Sequence, residues 1–177
     1  MGVWEYSLRR YRGKEPHIQL DETVVAIEDN AFARLSKLES VYVPDSVTSI
    51  GKNAFASCVH LEDVRLPEQL KALGTGAFRG CRHLVHVNVP SGFKRLPDRC
   101  FTRCERLEEL ALPEGIEVIG AHCFDKCTGL TVLELPSTLK RIEAGAFHRC
   151  VSLMQLVYPA SLEYIAPDAF TGGVGED

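Results

Sequence analysis

Apolar and polar residues alternate in short segments along the chain, and one of the clearest ends at Pro67. Val64 and Leu66 alternate there with Asp63 and Arg65. This alternation predicts a short strand that turns Val64 and Leu66 to a core and Asp63 and Arg65 to solvent. Proline ends such a strand because it has no N–H for a further ladder bond.

The residues that follow predict the rest of a small unit. Leu70 and Leu73 are expected to be buried, with a turn of the chain at Gly74. Ala77 and Cys81 then stand four residues apart, which predicts about one helical turn with both side chains on its inner side. A unit this small cannot bury its own apolar side, so it must stack on similar units.

Four residue types recur with one period over most of the chain, which confirms the stacking. The period is 23 residues, and it is seen for phenylalanine, proline, leucine and cysteine. The positions are Phe32, Phe55, Phe78, Phe101, Phe124, Phe147 and Phe170; Pro44, Pro67, Pro90, Pro113, Pro136 and Pro159; Leu38, Leu61, Leu84, Leu107, Leu130 and Leu153; Cys58, Cys81, Cys104, Cys127 and Cys150. A fixed period of this length predicts a solenoid.

The repeat resembles the BspA-like type of leucine-rich repeat over roughly residues 17–171. The stretch closest to that family's consensus is Val47-Thr48-Ser49-Ile50-Gly51-Lys52-Asn53-Ala54-Phe55-Ala56-Ser57-Cys58. The resemblance implies an α/β-type repeat solenoid, a right-handed stack with a parallel sheet of short strands and short helical turns opposite. It also implies a recognition and adhesion scaffold with many partners and no shared chemistry, so the fold alone does not define the function.

The two ends depart from the repeat, and we divide the chain accordingly. Residues 1–16 are predicted to form a capping hairpin, since Trp4, Tyr6 and Leu8 alternate. Residues 17–171 are predicted to form about seven turns, and 172–177 a flexible tail. The last turn has neither the cysteine nor a following strand, so an apolar end is left open. Truncation of a longer chain and an end-to-end contact between copies are the two explanations.

Composition narrows the class of protein. The chain has 177 residues, 45% of them hydrophobic, and a formal net charge of −4. This composition fits a folded domain and argues against a nucleic-acid-binding protein, which usually has a basic excess. No stretch approaches the length of a membrane span, so membrane insertion is not expected. The N-terminus has no basic and apolar leader, which predicts a cytoplasmic protein if the chain is complete; an excised fragment would be secreted or on the cell surface.

Cysteine allows two interpretations. Cys100 and Cys123 replace the usual alanine, and with Cys104 and Cys127 they form two Cys-x3-Cys pairs on neighbouring turns, beside His122. Four thiols so placed could hold zinc. The interpretation we favour is a column of small, buried, reduced thiols, since cysteine is part of the repeat and packs as a small apolar residue. We therefore expect no metal and no cofactor.

Catalytic signatures are absent from the sequence. It contains no Gly-x-Ser-x-Gly, Walker, Gly-x-Gly-x-x-Gly or His-Glu-x-x-His motif. His60 and His83 share a repeat position and are expected to stack on the outer surface, with His86 near the next strand; solvated histidines are favoured over a metal or pH-sensing pair. We predict that the protein is not an enzyme.

The outward strand positions form the candidate binding face. One column holds Ser40, Asp63, His86, Glu109, Val132 and Gln155, and its neighbour holds Gln19, Tyr42, Arg65, Asn88, Ala111, Glu134 and Val157. The inward columns barely vary, whereas these differ at every turn. Exposed positions vary freely without any ligand, but leucine-rich repeats usually bind through this sheet. The predicted contacts are Tyr42, Asp63, Arg65, His86, Asn88, Glu109 and Glu134.

Charge is sorted between the strands and the turns. Acidic residues lie in the strand segments, at Glu39, Glu62, Asp63, Glu108, Glu109 and Glu134; basic residues lie in or beside the turns, at Arg34, Arg79, Arg82, Arg99, Arg103, Arg106, Lys126 and Arg149. Sorting of this kind steers a basic partner to the sheet, although both surfaces also serve solubility. The first hypothesis is a scaffold that binds a protein partner through the strands; the alternative is an adhesin-type module of a secreted or surface protein.

Overall fold

The computed structural model describes residues 6–154 and 156–173. Fourteen short strands follow one another in this part of the chain: β1 Tyr6–Leu8, β2 His17–Gln19, β3 Val24–Ile27, β4 Ser40–Tyr42, β5 Ser49–Ile50, β6 Asp63–Arg65, β7 Ala72–Leu73, β8 His86–Val87, β9 Arg95–Leu96, β10 Glu109–Ala111, β11 Val118–Ile119, β12 Val132–Glu134, β13 Arg141–Ile142 and β14 Tyr164–Ile165. They form a parallel-strand solenoid of about seven turns.

The strands make two rows along the stack. The first sheet row contains β2, β4, β6 and β8, followed by the separate pair β10 and β12. The second sheet row contains β1, β3, β5 and β7, followed by the separate group β9, β11, β13 and β14. All pairings are parallel, as expected when each turn of a solenoid adds one strand to each row.

The third side of the stack is a row of turns, which we call the turn row. It consists of residues 29–34, 52–57, 75–80, 98–103, 121–126, 144–149 and 167–172. The prediction of helical turns is wrong, because the described residues contain no helix. The N–H of Phe55 donates to the carbonyl of Ala77 in the next turn at 2.8 Å, whereas the N–H of Ala56 donates to Asn53 in its own turn at 3.0 Å.

This alternation of hydrogen bonds is incompatible with an α-helix, in which each N–H bonds within the element to the carbonyl four residues earlier. Six of the seven turns also have two residues with positive φ, for example Asn53 at 53° and Ser57 at 61°. Such residues reverse the chain locally and interrupt a right-handed helix. Each segment of the turn row is therefore a run of overlapping tight turns. Every second N–H of the segment bonds to the equivalent segment of the next repeat.

The N-terminal segment also differs from its prediction. β1 pairs in parallel with β3 and extends the second sheet row, so among residues 6–16 no hairpin forms. Tyr11 continues the aromatic core: its ring centroid lies 5.3 Å from that of Phe32. Trp4, on which the hairpin prediction partly rested, lies outside the described residues, as do 174–177 of the predicted tail.

The core is a column of rings behind the turn row. Neighbouring repeat phenylalanines stack nearly parallel, with centroids 4.8 to 5.7 Å apart. All but the last of these rings are fully buried. Val64 and Leu66 point inward, as predicted, while Asp63 and Arg65 are exposed. The described part of the chain has no helix with the length and apolar character that crossing a bilayer requires.

Candidate functional site

The first sheet row carries the predicted binding face, and its register reproduces parts of the two predicted columns, from Ser40 to His86 and from Gln19 to Arg65, and again from Glu109 to Val132 and from Ala111 to Glu134. Ser40 pairs with Asp63 and Tyr42 with Arg65 between β4 and β6. Glu109 pairs with Val132 between β10 and β12. His17 also belongs to the first column, which the sequence analysis missed. Gln155 lies outside the described residues.

Three of the predicted contacts lie together on the intact part of this row. The guanidinium of Arg65 lies over the ring of Tyr42, 5.9 Å from its centroid, and Asp63 is exposed beside them. These side chains border a shallow depression of about 510 Å³ with His17 and Gln19. An arginine over an aromatic ring is a partly preorganised contact surface, because the ring restricts the long side chain.

The first sheet row is interrupted between β8 and β10. Between the turns of β6 and β8, the N–H of His86 donates to the carbonyl of Glu62 at 3.0 Å. Between the turns of β10 and β12, the N–H of Val132 donates to the carbonyl of Glu108 at 3.2 Å. The equivalent bond from Glu109 to the carbonyl of Val85 does not form, nor does any strand pairing across this junction of the described chain. The main-chain groups that face each other from Val85 and Glu109 onward therefore lack the ladder bonds of the other turns, whereas just before them the N–H of Arg106 still donates to the carbonyl of Arg82 at 3.0 Å.

Asn88 shortens β8 next to this interruption. Its Oδ1 accepts a hydrogen bond from the N–H of Leu66 at 2.7 Å, and its Nδ2 donates to the carbonyl of Leu66 at 2.9 Å. At the equivalent positions, Leu20 and Leu112 donate to the main-chain carbonyls of Tyr42 and Glu134, so the side-chain amide of Asn88 takes the place of its own main-chain carbonyl. β8 ends at Val87 as a result, one residue earlier than β6 does at the equivalent position.

The second sheet row is interrupted at the same repeat, between β7 and β9. The N–H of Gly74 donates to the carbonyl of Ile50 at 2.8 Å, and that of Gly120 donates to Leu96 at 3.1 Å. Pro97 stands at the equivalent position of the intervening turn and has no N–H. The carbonyl of Leu73 therefore cannot receive the bond that its equivalents receive.

The turn row remains closed across this junction. Phe78 donates to the carbonyl of Cys100 at 3.0 Å and Gly80 to that of Thr102 at 2.7 Å. The rings of Phe78 and Phe101 are 5.7 Å apart, the widest spacing in the stack. The two turns are thus bonded along the turn row, whereas their strands lack ladder bonds from Val85 and Glu109 onward.

The opening on the first sheet row is a cleft of about 630 Å³. Its apolar lining includes Val87, Val89, Leu110 and Leu112, and its polar lining includes His86, Asn88, Glu108, Glu109 and Glu134. Three carboxylates line the cleft and no lysine or arginine does. We call this feature the strand cleft. Of the predicted contacts, it brings together His86, Asn88, Glu109 and Glu134, and separates them from Tyr42, Asp63 and Arg65.

The predicted contacts did not include Glu108, Ala111 and Val132 of the cleft lining, although the sequence placed all three in the strand segments. The side chain of Val132 is 47% exposed, unusual for valine in a strand. Two departures from the repeat could have revealed the cleft: Pro97 at a position that holds glycine in three other turns, and Asn88 at the end of its strand.

The seven cysteines are all unpaired and buried. The five repeat cysteines point their thiols to the previous turn: Cys58 donates to the carbonyl of Phe32 at 3.0 Å, and Cys127 to that of Phe101 at 3.0 Å. Burial raises the pKa of Cys58 and of Cys150 to about 12, and raises the pKa of the other thiols as well. These thiols are protonated and unreactive at neutral pH.

The proposed zinc ligands have the same environment as the other cysteines. Cys100, Cys104, Cys123 and Cys127 are completely buried in the hydrophobic core. The thiols of Cys104 and Cys127 donate to main-chain carbonyls. In the part of the chain that the structure describes, no group of three or more histidine, cysteine, aspartate or glutamate side chains is arranged to hold a metal.

The histidines occupy the predicted positions. The rings of His60 and His83 lie edge to face, with centroids 5.2 Å apart, and Nδ1 of His60 lies 2.6 Å from the carbonyl oxygen of Ser36. His86 lies apart from them in β8, on the first sheet row.

The last turn exposes a second apolar surface. Met154 and Val157 are 73% and 86% exposed, and Tyr158, Tyr164 and Ile165 are also exposed. The ring of Tyr158 lies edge to face with that of Phe170, so the aromatic column is covered only partly there. The predicted contact between copies through this surface stays a prediction.

Comparison with known proteins agrees with this architecture. The sequence profile of the BspA type leucine rich repeat region matches residues 11–131 and 49–173, with 6 copies of the repeat. The chain therefore belongs to the BspA type leucine-rich repeat family, a scaffold family generally used for protein interaction. A search of curated protein sequences gave no match.

Three solved bacterial structures share the fold. A leucine-rich repeat protein from Eubacterium ventriosum is 24% identical, with a TM-score of 0.85; the alignment covers 92% of this chain and 44% of that one. A T. pallidum leucine rich repeat protein is 28% identical, with a TM-score of 0.85 and coverage of 90% and 77%. A leucine rich cell surface protein from Faecalibacterium prausnitzii is 28% identical, with a TM-score of 0.83 and coverage of 96% and 48%. The chain thus spans less than half the length of the first and the third.

Proposed function

We propose that the chain is a non-enzymatic interaction scaffold that binds a protein partner through the first sheet row. The observation that carries the proposal is the register of this row, which holds columns of exposed, differing side chains in front of a closely packed aromatic core. A surface held rigidly in this way loses little conformational entropy on binding. The membership of a scaffold family supports the same function.

The proposed contacts fall into two groups along the face. Tyr42 and Arg65 offer an aromatic ring and a guanidinium, the residue types most enriched among energetically dominant contacts. Glu109 and Glu134 line the strand cleft and offer negative charge. Asp63 belongs to the first group and His86 to the second, and the two pair with each other where the groups meet. The amide of Asn88 is engaged by Leu66, so we assign Asn88 to shaping the face.

The test is capture of partners from lysate of the source cells, with the double variant Arg65→Glu/Glu109→Lys as the comparison bait. We expect proteins that the wild type holds to be lost from this variant, because both substitutions reverse charge on the first sheet row. The matched control is Arg79→Glu/Glu163→Lys, which changes two exposed residues elsewhere and also leaves the net charge unchanged. Equal capture by wild type and the first variant would remove this row as the binding face.

An adhesin-type role is the second candidate, and the similarity to a leucine rich cell surface protein favours it. The same face would then bind host or matrix proteins. The experiment is binding of the labelled protein to immobilised extracellular matrix proteins, again with the Arg65→Glu/Glu109→Lys variant. Selective, saturable binding that this variant loses supports the adhesin role, and the absence of binding to every matrix protein rejects it.

A further inference from the structure

We infer that the strand cleft binds an extended peptide segment in which basic side chains alternate with apolar ones. This inference rests on the proposed function of the first sheet row and specifies the chemistry of one part of it. Three features of the cleft support it: open main-chain groups, an apolar floor and a rim of carboxylates.

The open main-chain groups favour a ligand that has a backbone of its own. Glu109 turns its N–H toward β8, because the carbonyl of the preceding residue, Glu108, accepts the N–H of Val132 on the opposite side. On the facing strand, the carbonyl of Val85 lacks the bond that the equivalent carbonyl of Glu62 receives. Strand edges of this kind pair readily with an extended segment, which supplies alternating N–H and carbonyl groups.

The floor of the cleft favours apolar side chains at alternate positions of the ligand. Val89, Leu110 and Leu112 lie beneath the opening and are themselves mostly buried. Ala111 and Val132 add apolar surface at its edge. In an extended peptide, successive side chains point to opposite faces, so every second one would contact this floor.

The rim favours positive charge at the remaining positions. Glu108, Glu109 and Glu134 all line the cleft, and no basic side chain lines it with them. The nearest proposed contact with positive charge, Arg65, instead lies over the ring of Tyr42. Charge complementarity therefore selects lysine or arginine over aspartate or glutamate in the bound segment.

The volume also fits a short segment rather than a whole domain. A cleft of about 630 Å³ is in the range of sites that hold small ligands. Because the turn row stays bonded behind the cleft, a segment would enter it only from the strand side. This arrangement suits one extended stretch of a partner protein.

The test uses a fluorescently labelled, capped peptide of alternating arginine and valine, titrated with the full chain and followed by fluorescence anisotropy. A peptide of alternating glutamate and valine controls for charge. A peptide of alternating arginine and proline keeps the charge but removes half of the backbone donors. We expect saturable binding of the first peptide, binding at least tenfold weaker for the third, and none of the second.

Variants locate the site. Glu109→Lys is expected to weaken binding at least tenfold, while the matched variant Asp63→Lys, which reverses one charge on the intact part of the row, should change it less than about threefold. Circular dichroism and urea denaturation verify that the variants are folded. An equal loss with Asp63→Lys, or no binding of the arginine–valine peptide, overturns the inference.

This outcome is distinguishable from failure of the proposed function. If partner capture still depends on Arg65 and Glu109 while the peptide does not bind, the face remains the binding surface and only the chemistry assigned to the strand cleft is rejected. If the peptide binds and capture is unaffected by the Arg65→Glu/Glu109→Lys variant, the peptide site stands and the wider binding face is rejected.

Discussion

The turn row and the two sheet rows respond differently to the same repeat junction. Across the turns that precede and follow Pro90, the turn row keeps its hydrogen bonds and its stacked rings, whereas both sheet rows lose their pairing. The turn row has two independent means of cohesion, alternate N–H groups and a continuous aromatic column. The strands of the sheet rows are only two to four residues long, so the loss of one ladder bond, as at Pro97, removes a large part of the pairing between two strands.

The difference suggests a division of labour within the repeat. We expect the turn row to contribute most to stability, because all but the last of the repeat rings are fully buried and the cysteine thiols bond to main-chain carbonyls. The sequence and the strand pairing of the sheet rows can therefore change without loss of the stacked fold. An opening such as the strand cleft is tolerated where the packing does not depend on the strands.

The largest expected effect on stability comes from a comparison between a buried residue of the turn row and an exposed residue of the first sheet row. Phe101→Ala removes a fully buried ring from the column and should lower the free energy of unfolding by about 3–5 kcal/mol. Val132→Ala on the first sheet row removes a half-exposed side chain and should cost less than about 1 kcal/mol. Urea denaturation measures both, and similar losses would contradict the division of labour.

The N-terminal end of the aromatic column gives the next effect. Tyr11→Ala removes the ring that stacks on Phe32 and the hydroxyl that donates to Glu15 at 2.6 Å, and should cost about 1–2 kcal/mol. Tyr11→Phe keeps the ring and should retain more than half of that stability in thermal denaturation. An equal loss in both variants would show that the hydroxyl, and not the stacking, closes this end.

Positive φ in the turn row predicts a gain of stability. Arg103 is exposed and has a φ of 61°, so Arg103→Gly should stabilise the fold by roughly 0.5–1 kcal/mol through relief of backbone strain. Arg79 is exposed in the same row but is not among the residues with positive φ, so Arg79→Gly should destabilise by about as much. Chemical denaturation of the pair tests the opposite signs, and the same sign in both would reject the strain argument.

The smallest effect concerns an ion pair on the second sheet row, beside its interruption. Arg95 donates to both carboxylate oxygens of Glu143, at 2.9 and 2.7 Å, across the intervening turn, and these hydrogen bonds lower the pKa of Glu143. A lowered pKa stabilises the fold above the unfolded value near 4.5, and this stability is lost as the pH falls below it.

Glu143→Gln should therefore cost up to about 1 kcal/mol at pH 7, because the pair is partly exposed, and less at acidic pH. Denaturation midpoints of wild type and variant across this pH range check the prediction. A difference that is constant with pH would mean that the carboxylate's charge contributes nothing to stability.

Much of the architecture follows from the sequence because it is repeated. The period of the phenylalanines, the buried cysteines, the inward Val64 and Leu66 and the pairing of Tyr42 with Arg65 all result from stacking like positions. The helical turns were predicted wrongly, because the spacing of Ala77 and Cys81 fits both a helix and a run of tight turns.

Features that break the repeat were harder to predict than those that follow it. Gly76 and Gly80, both with positive φ, were a signal against a helix within one turn. The missing pairing between β8 and β10 has no counterpart in the pattern of apolar positions, and neither has the side-chain amide of Asn88, which replaces a main-chain acceptor for Leu66. The binding contacts themselves remain a prediction, because exposed columns differ whether or not they bind.

The most direct test of the difference between the rows is amide hydrogen exchange of the free protein by NMR at three equivalent strand positions. His86 and Val132 donate to the previous turn, and Glu109 does not. The account predicts slow exchange at His86 and Val132, slow exchange at Phe101 in the turn row, and fast exchange at Glu109. Protection of Glu109 equal to that of Val132 would mean that the sheet is closed in solution, and would contradict the strand cleft.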